Sequence, residues 1–400
     1  MQTNIHSKFK TLPGIDEADA ILRACVHCGF CNATCPTYLE LNDERDGPRG
    51  RIYLIKQLLE GDDVSGQTQT HLDRCLTCRN CETTCPSGVQ YGKLVDFGRG
   101  IVEQSVRRPW RQRATRWLLE HVVPYRRRCG ALFGLGQWLR PVLPASWRTK
   151  IPLRQRAAAR PRTRHSRVML ALEGCAQAAA TPNTNAAAAS VLDRLGIQLV
   201  SERGAGCCGA LSYHLGSHDS GLAFMKRNID AWWPAIERGA EAIVLTASGC
   251  GVTVKDYGHL LRHNSHYSNK ARRVSELAKD ISEVLAAEDL SKLELSGAGR
   301  RVAFQSPCTL QHGQGLGGLV ERILSAAGFT LCAVKDGHLC CGSAGSYSIL
   351  QPQMSRKLKA SKLAALNANE PEIIVTANVG CQLHLQSDNG TPVAHWLELF

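Results

Sequence analysis

Two short stretches constrain this chain more than anything else in it. "CVHCGFCNATCP" at 25–36 and "CLTCRNCETTCP" at 75–86 share the spacing C-x2-C-x2-C-x3-C-P. Thiolates in such a run hold iron–sulfur clusters. Three of them, two residues apart, wrap one face of a cube in a tight loop. The fourth lies beyond reach of that cube and ligates the other cluster. The spacing predicts two 4Fe–4S clusters, one on Cys25, Cys28, Cys31 and Cys85, the other on Cys75, Cys78, Cys81 and Cys35. Pro36 and Pro86 remove a backbone donor and turn the chain after the last ligand. Structural zinc also uses C-x2-C pairs, but its ribbons take four cysteines in two pairs, which two complete eight-ligand runs do not suit.

Between the runs lies "GPRGRIYLIKQLLEG", 47–61, with Ile52, Ile55, Leu58 and Leu59 at helical spacing and Gly at both ends. Residues 1–105 therefore read as an all-helical, ferredoxin-like dicluster domain. Clusters of this kind transfer single electrons and have no obvious substrate pocket, so no catalytic side chain is expected here.

The chain holds eighteen cysteines in 400 residues. Its first residues, "MQTNIHSKFKTLPGIDEADAIL", lack the apolar region of a secretory signal. No apolar run approaches the roughly 18 residues that span a bilayer. A cytoplasmic location is expected, and in that reducing compartment clustered thiols read as metal ligands or redox groups, not as a disulfide framework.

The second half contains an internal repeat. Each copy opens on a strand-like run ending in a cysteine, "RVMLALEGC" (Cys175) and "RVAFQSPC" (Cys308). A helix-like stretch closed by Gly follows, then a second strand, "IQLVSE" or "FTLCAV", and a cysteine doublet before Gly: Cys207 and Cys208, Cys340 and Cys341. A long helical segment leads to a third strand with a final cysteine, "AIVLTASGC" (Cys250) and "EIIVTANVGC" (Cys381). Both copies close on helix-like tails, "VSELAKDISEVL" and "VAHWLELF". First cysteine to doublet is 32 residues in both copies. Alternating strands and helices predict two α/β units with parallel sheets. Their cysteines fall at C-terminal strand ends, where open α/β sheets bind ligands. The expected class is α+β multidomain: 1–105 the helical dicluster domain, 106–166 a basic linker, 167–290 the first repeat and 300–400 the second.

The net charge of +13 is concentrated in that linker. Residues 107–164 hold 16 Arg and Lys against the single acid Glu120, leaving the remainder near neutral. Trp110, Trp117, Trp138 and Trp147 lie there, on segments broken by Pro109, Pro124, Pro141 and Pro144. Arg and Trp on short amphipathic segments suit an anionic membrane surface; a docking face for partner subunits is the alternative. No recognition motif for nucleic acid accompanies the charge.

With two cluster runs, a linker and two CCG repeats, the chain resembles the iron–sulfur subunits of glycolate oxidase. The resemblance rests on "CVHCGFCNATCPTYLE", "PRGRIYLIK", "CLTCRNCETTCPSGVQYG", "GAGCCGALSYHLG", "SGCGVTVKDYG" and "SPCTLQHG". Lactate-utilisation proteins, the anaerobic glycerol-3-phosphate dehydrogenase C subunit and heterodisulfide reductase subunits look similar in architecture. The family implies a complex in which FAD-binding subunits oxidise glycolate to glyoxylate, with D-lactate to pyruvate a related reaction. This chain would pass electrons singly from the FAD partner toward a membrane quinone or another acceptor. It would sit on the inner face of the cytoplasmic membrane and hold no substrate site.

Heterodisulfide reductase relatives end the CCG pattern in C-x2-C, giving five cysteines. Here Cys250 is followed by "GVT" and Cys381 by "QLH". Each repeat offers four thiols, Cys175, Cys207, Cys208 and Cys250 or Cys308, Cys340, Cys341 and Cys381. Four suffice for one cubane or one zinc, so one or two further metal sites are expected; reactive redox thiols are the alternative. Alternative functions for the whole chain are a thiol–disulfide reductase acting at the doublets, a zinc-stabilised scaffold, or a lactate or glycerol-3-phosphate dehydrogenase subunit. Cys129 and Cys332 read as small hydrophobes. The Gly-rich "HGQGLGG", 312–318, reads as close helix packing in preference to a phosphate turn. His214, His312 and His384 are not counted as ligands.

Overall fold

A computed structural model describes residues 1–144, 148, 151–293, 297, 299–387 and 390–400; Trp147 lies outside the described residues. Residues 1–105 are helical: Ile15–Ala24, Pro48–Glu60, Gly66–Asp73 and Tyr91–Ser105 form the frame. Shorter helices, Phe30–Ala33 and Asn80–Thr83, lie inside the two cysteine runs. Pro48 starts its helix at the first position, where a missing N–H costs nothing, and Gly61 ends it at φ +105°. Its apolar stripe, Ile52, Ile55, Leu58 and Leu59, packs on Leu94, Val95 and Val102. Gly98 allows that crossing, since a Cβ there would stand 2.8 Å from Ile55 Cγ1.

The basic segment folds as two helices, Trp110–Val122 and Arg126–Leu139, parted at Pro124. Arg108 and Arg116 hold Asp73 of the helical domain at 2.5 and 3.0 Å. Arg126 and Arg160 pair with Glu173 of the first repeat. The segment is thus a strap across both neighbours.

Each repeat is a four-stranded parallel sheet of one topology. β1 (Arg167–Ala171), β2 (Ile197–Val200), β3 (Ile243–Leu245) and β4 (Ala278–Asp280) lie in the order β2-β1-β3-β4. β5 (Arg301–Gln305), β6 (Thr330–Leu331), β7 (Ile373–Thr376) and β8 (Val393–His395) lie in the order β6-β5-β7-β8. All pairings are parallel. The strand order reverses between β1 and β3, and between β5 and β7, which puts a crevice at their carboxyl ends. The helix-like tails of the sequence reading each contain β4 or β8. Three residues of edge strand are too short to show a period of two, and pairing with β3 or β7 decides their conformation.

One core spans both repeats. Met169, Leu192, Val244 and Ile281 of the first pack with Val302, Phe304, Val375 and Trp396 of the second. The outer face of the first sheet buries Leu170, Met225, Ile229, Trp232 and Ile243. His395, fully buried on β8, faces the Thr246 carbonyl after β3 at 2.8 Å, and burial drives its pKa down to about 3.

Candidate iron–sulfur centres and thiol cages

The two cysteine runs wrap two adjoining pockets. Cys25, Cys28, Cys31 and Cys85 line the first, of about 420 Å³ with its open mouth. Cys35, Cys75, Cys78 and Cys81 line the second, of about 360 Å³. Cys81 borders both. Each pocket thus draws on both runs: Cys85, with Cys81 at the border, joins the first-run thiols, and Cys35 joins the second-run thiols. The backbone turns tightly to do this, with His27, Thr77 and Arg79 at positive φ. Burial raises the Cys31 thiol to about 11 and holds Cys78 and Cys81 well above the ordinary thiol range. No carboxylate lines either pocket. Soft thiols alone suit iron–sulfur centres.

Cations back these pockets. Arg49 lines the first and Arg51 the second. Arg51 is fully buried; burial works to lower its pKa, but Tyr91, Cys75, Cys35 and Asp46 outweigh it and raise it. Its Nε donates to the His71 carbonyl at 2.7 Å and its Nη2 to Thr37 Oγ1 at 3.1 Å. Asp46, also fully buried, accepts from Arg74 at 2.8 Å and meets His71 at 3.1 Å and Arg51 at 3.5 Å. Arg51 was not singled out from the sequence. Its signal was a charge among Ile52, Ile55 and Leu59, which helical spacing turns inward.

In the second repeat the four thiols gather into one cage. Cys308 and Cys340 stand 3.8 Å apart at sulfur, and Cys341 and Cys381 stand 3.4 Å apart. In the first repeat Cys175 contacts Cys207, Cys207 contacts Cys208, and Cys208 contacts Cys250. Cys207, pulled down by Cys175 and pushed up by Cys208 and by burial, sits at about 12. The doublet glycines explain the tight turn. Gly209 and Gly342 have φ +92° and +86°, and a Cβ would meet the Gly221 carbonyl at 2.6 Å or the Ser355 carbonyl at 2.8 Å. In each doublet one sulfur meets the first cysteine of its repeat and the other meets the last.

These four groups lie in an order the chain does not follow. Cys78 is within electrostatic range of Cys308 and Cys340, and Leu76 packs with Cys340, Tyr347 and Leu358. Asn80 Nδ2 donates to the His338 carbonyl at 3.3 Å. The second repeat therefore brings its thiols beside the second pocket, while the first repeat reaches that pocket's wall through the Arg79–Asp256 ion pair at 2.9 Å. Asn378 then links the two cages: its Nδ2 donates to Cys381 Sγ at 3.5 Å, and its Oδ1 accepts from the Gly249 amide at 3.3 Å.

Cys129 is buried, within electrostatic range of Cys175, on a helix whose neighbour is Ala176–Ala180. Cys332 follows β6, and its amide extends the pairing to the Val302 carbonyl at 2.9 Å. His214 pairs with Asp96 at 3.0 Å, His312 lies 3.0 Å from Thr83 Oγ1, and His384 lies 3.3 Å from Ser355 Oγ. The Gly-rich run packs on the first repeat: a Cβ at Gly313 would meet Val252 at 2.5 Å.

Comparison with known proteins follows this geometry. Residues 21–89 match the 4Fe–4S dicluster domain family, and residues 169–255 and 302–386 each match the cysteine-rich domain family. The glycolate oxidase iron–sulfur subunit of Escherichia coli K12 is 57% identical over 400 residues, covering all of this chain and 98% of the relative. The chain belongs to the glycolate oxidase iron–sulfur subunit family. A probable member of that family from Bacillus subtilis 168 is 32% identical over 96% of this chain and 91% of the relative. Lactate utilization protein A of Bacillus velezensis is 26% identical over 54% of this chain and 92% of the relative. The similarity to the Escherichia coli relative extends along the whole chain, and the matched family regions cover the dicluster domain and both repeats.

Proposed function

We propose that this chain is the iron–sulfur electron-transfer subunit of a flavin-dependent glycolate oxidase. The observation that carries the proposal is the pair of four-cysteine pockets joined at Cys81, in a chain 57% identical throughout to such a subunit. Cys25, Cys28, Cys31 and Cys85 would hold one cluster, and Cys75, Cys78, Cys81 and Cys35 the other. Bound there, the clusters supply one-electron redox chemistry, whereas a partner flavin takes two electrons as a hydride equivalent. Arg49 and Arg51 would balance thiolate charge at the first and second pockets. Cys28, the exposed member of the set, marks the side from which a redox partner approaches, flanked by exposed Val26 and Phe30.

Burial of the doublets favours this over a thiol–disulfide reductase. Cys207, Cys208, Cys340 and Cys341 are each 4% exposed or less, so a disulfide substrate cannot reach them. The test combines the anaerobically purified chain with its flavoprotein partners. Glycolate should reduce a dye beyond the flavin only when this chain is present, with D-lactate assayed in parallel. Disulfide reduction by the lone chain would instead support the other reading.

The strap supports peripheral membrane attachment. Among the described residues no helix is long and apolar enough to cross a membrane. Trp110, Trp117, Leu132, Leu135, Trp138 and Val142 are exposed on it, among its arginines. Burying such side chains at an interface while Arg meets anionic headgroups stabilises attachment. The chain is expected to float with vesicles of phosphatidylglycerol and phosphatidylcholine, and to release them when Trp110, Trp117 and Trp138 become Ser. Equal flotation with pure phosphatidylcholine, or none at all, removes this role.

A further inference from the structure

The two cages share sheet topology and the 32-residue spacing from first cysteine to doublet, but a buried residue beside the doublet differs between them. In the first repeat a Cβ on Gly209 would meet the Gly221 carbonyl; in the second, a Cβ on Gly342 would meet the Ser355 carbonyl. Gly221 and Ser355 are therefore matched positions on the long helices His218–Glu237 and Pro352–Asn367. Seven residues on, two helical turns later, stand Asn228 and Lys362.

Both residues tether the loop that enters the doublet. Asn228 Oδ1 accepts from the Gly206 amide at 2.9 Å, and its Nδ2 donates to the Cys207 carbonyl at 2.8 Å. Lys362 Nζ donates to the carbonyls of Asp336 at 2.9 Å and Gly337 at 3.4 Å. The tether is shared; the charge is not. Lys362 is only 4% exposed, and no described carboxylate forms an ion pair with it. All four thiols, Cys340, Cys341, Cys308 and Cys381, lie within electrostatic range of its amine. Lys359, one turn earlier, lies within range of Cys341. In the first cage the strongest influences on Cys175, Cys207 and Cys208 are one another, Cys250 and burial. One cation does reach that loop: Arg227 lies over the Phe224 ring at 4.9 Å and a Cβ on Gly206 would meet its Nη2 at 2.8 Å, but it is not among the leading influences on Cys175, Cys207 or Cys208.

A buried ammonium without a carboxylate is costly unless negative charge faces it. Four neutral thiols supply none. Four metal-bound thiolates supply a net negative centre, and Lys362 is placed to meet it. We propose that the second cage is built for an anionic thiolate-bound metal centre whose counter-charge is Lys362, and that the first cage, with Asn228 in its place, is electrostatically inequivalent. This rests on the reading that a cage takes a metal. Lys362 acts here as a positioning residue, through the thiolates.

The test compares K362Q, which keeps hydrogen-bond donors without charge, with K362R, which keeps the charge. Iron, acid-labile sulfide and zinc are counted per anaerobically purified full chain, and midpoint potentials are followed by EPR-monitored titration. The wild type is expected to hold more than the roughly eight irons of two 4Fe–4S clusters, or eight plus zinc. K362Q is expected to lose that excess or to shift its centre to a more negative potential, with the ferredoxin-type signals intact. K362R should stay near wild type. A loaded wild type with K362Q unchanged in content and potential overturns the role of Lys362 alone. A wild type with about eight irons and no zinc overturns the metal-cage reading itself and leaves the dicluster reading standing. If K362Q does not accumulate, C341S and C208S decide: equal losses of metal with equal potentials overturn the inequivalence.

Discussion

Asp46→Ala is expected to lower the thermal unfolding midpoint of the helical domain by well over 10 °C. Among the described residues, the fully buried Asp46 is the one carboxylate paired with Arg51, Arg74 and His71. Its main-chain carbonyl also accepts from Thr37 Oγ1 at 2.8 Å, so it ties the chain after the first cysteine run to the helices on either side of the second pocket. Removing one partner of a buried ion pair costs about 3–5 kcal/mol, because the other charge is left without compensation. Arg51 cannot escape by losing its proton, since guanidinium stays charged in proteins. For a domain of roughly 100 residues each kcal/mol moves the midpoint by about 4–8 °C. Circular dichroism melts of the purified chain measure this, with Asp46→Asn as the companion that keeps the shape and loses the charge. A midpoint within a degree or two of wild type would show that the network does not hold the domain together. Because Arg51 lines the second pocket, both variants should also lose iron from it before they lose the first.

The second large effect concerns the exchange of cysteines between runs. Cys85→Ser is expected to remove about four irons, the content of one of the two ferredoxin-type clusters. The loss should fall on the pocket lined by Cys25, Cys28 and Cys31, far earlier in the chain, and spare the one lined by Cys75, Cys78 and Cys81 beside it in sequence. Cys35→Ser should do the reverse. EPR of the two variants distinguishes the pockets, because the second adjoins Arg51 and the second cage while the first opens to solvent at Cys28. Identical spectra from both variants, or full iron in either, would contradict the crossed ligation. Glycolate-dependent dye reduction should fall to background in both, since either loss interrupts the route from the partner.

Much of this was legible in the cysteine spacing. C-x2-C-x2-C-x3-C-P is a local geometry: the loop must curl around its ligand whatever lies beyond it. The parallel sheets were legible too, because β1, β3, β5 and β7 each carry three or four consecutive apolar residues, most of them buried. β4 and β8 were hidden in helix-like tails, being three-residue edge strands specified by the neighbour they pair with. Cys129 read as a small hydrophobe because nothing local connects "RRRCGAL" to Cys175; packing of its helix does. Lys362 looked like one more lysine in "SRKLKASKL", and only its burial marks it.

By itself the sequence determined which groups of four thiols exist, that they occur as two runs and two repeats, and where the basic, Trp-rich strap lies. These follow from spacing, period and charge, which act over a few residues. Tertiary structure alone decided their order in space. The second repeat, last in the chain, comes to lie against the second pocket through Leu76, Cys78 and Asn80, and Asn378 then joins it to the first repeat. The same packing put Asp46 against Arg51 and Lys362 against four sulfurs. A buried charge finds its partner by the sum of all the contacts around it, and that sum is written in no single stretch of the chain.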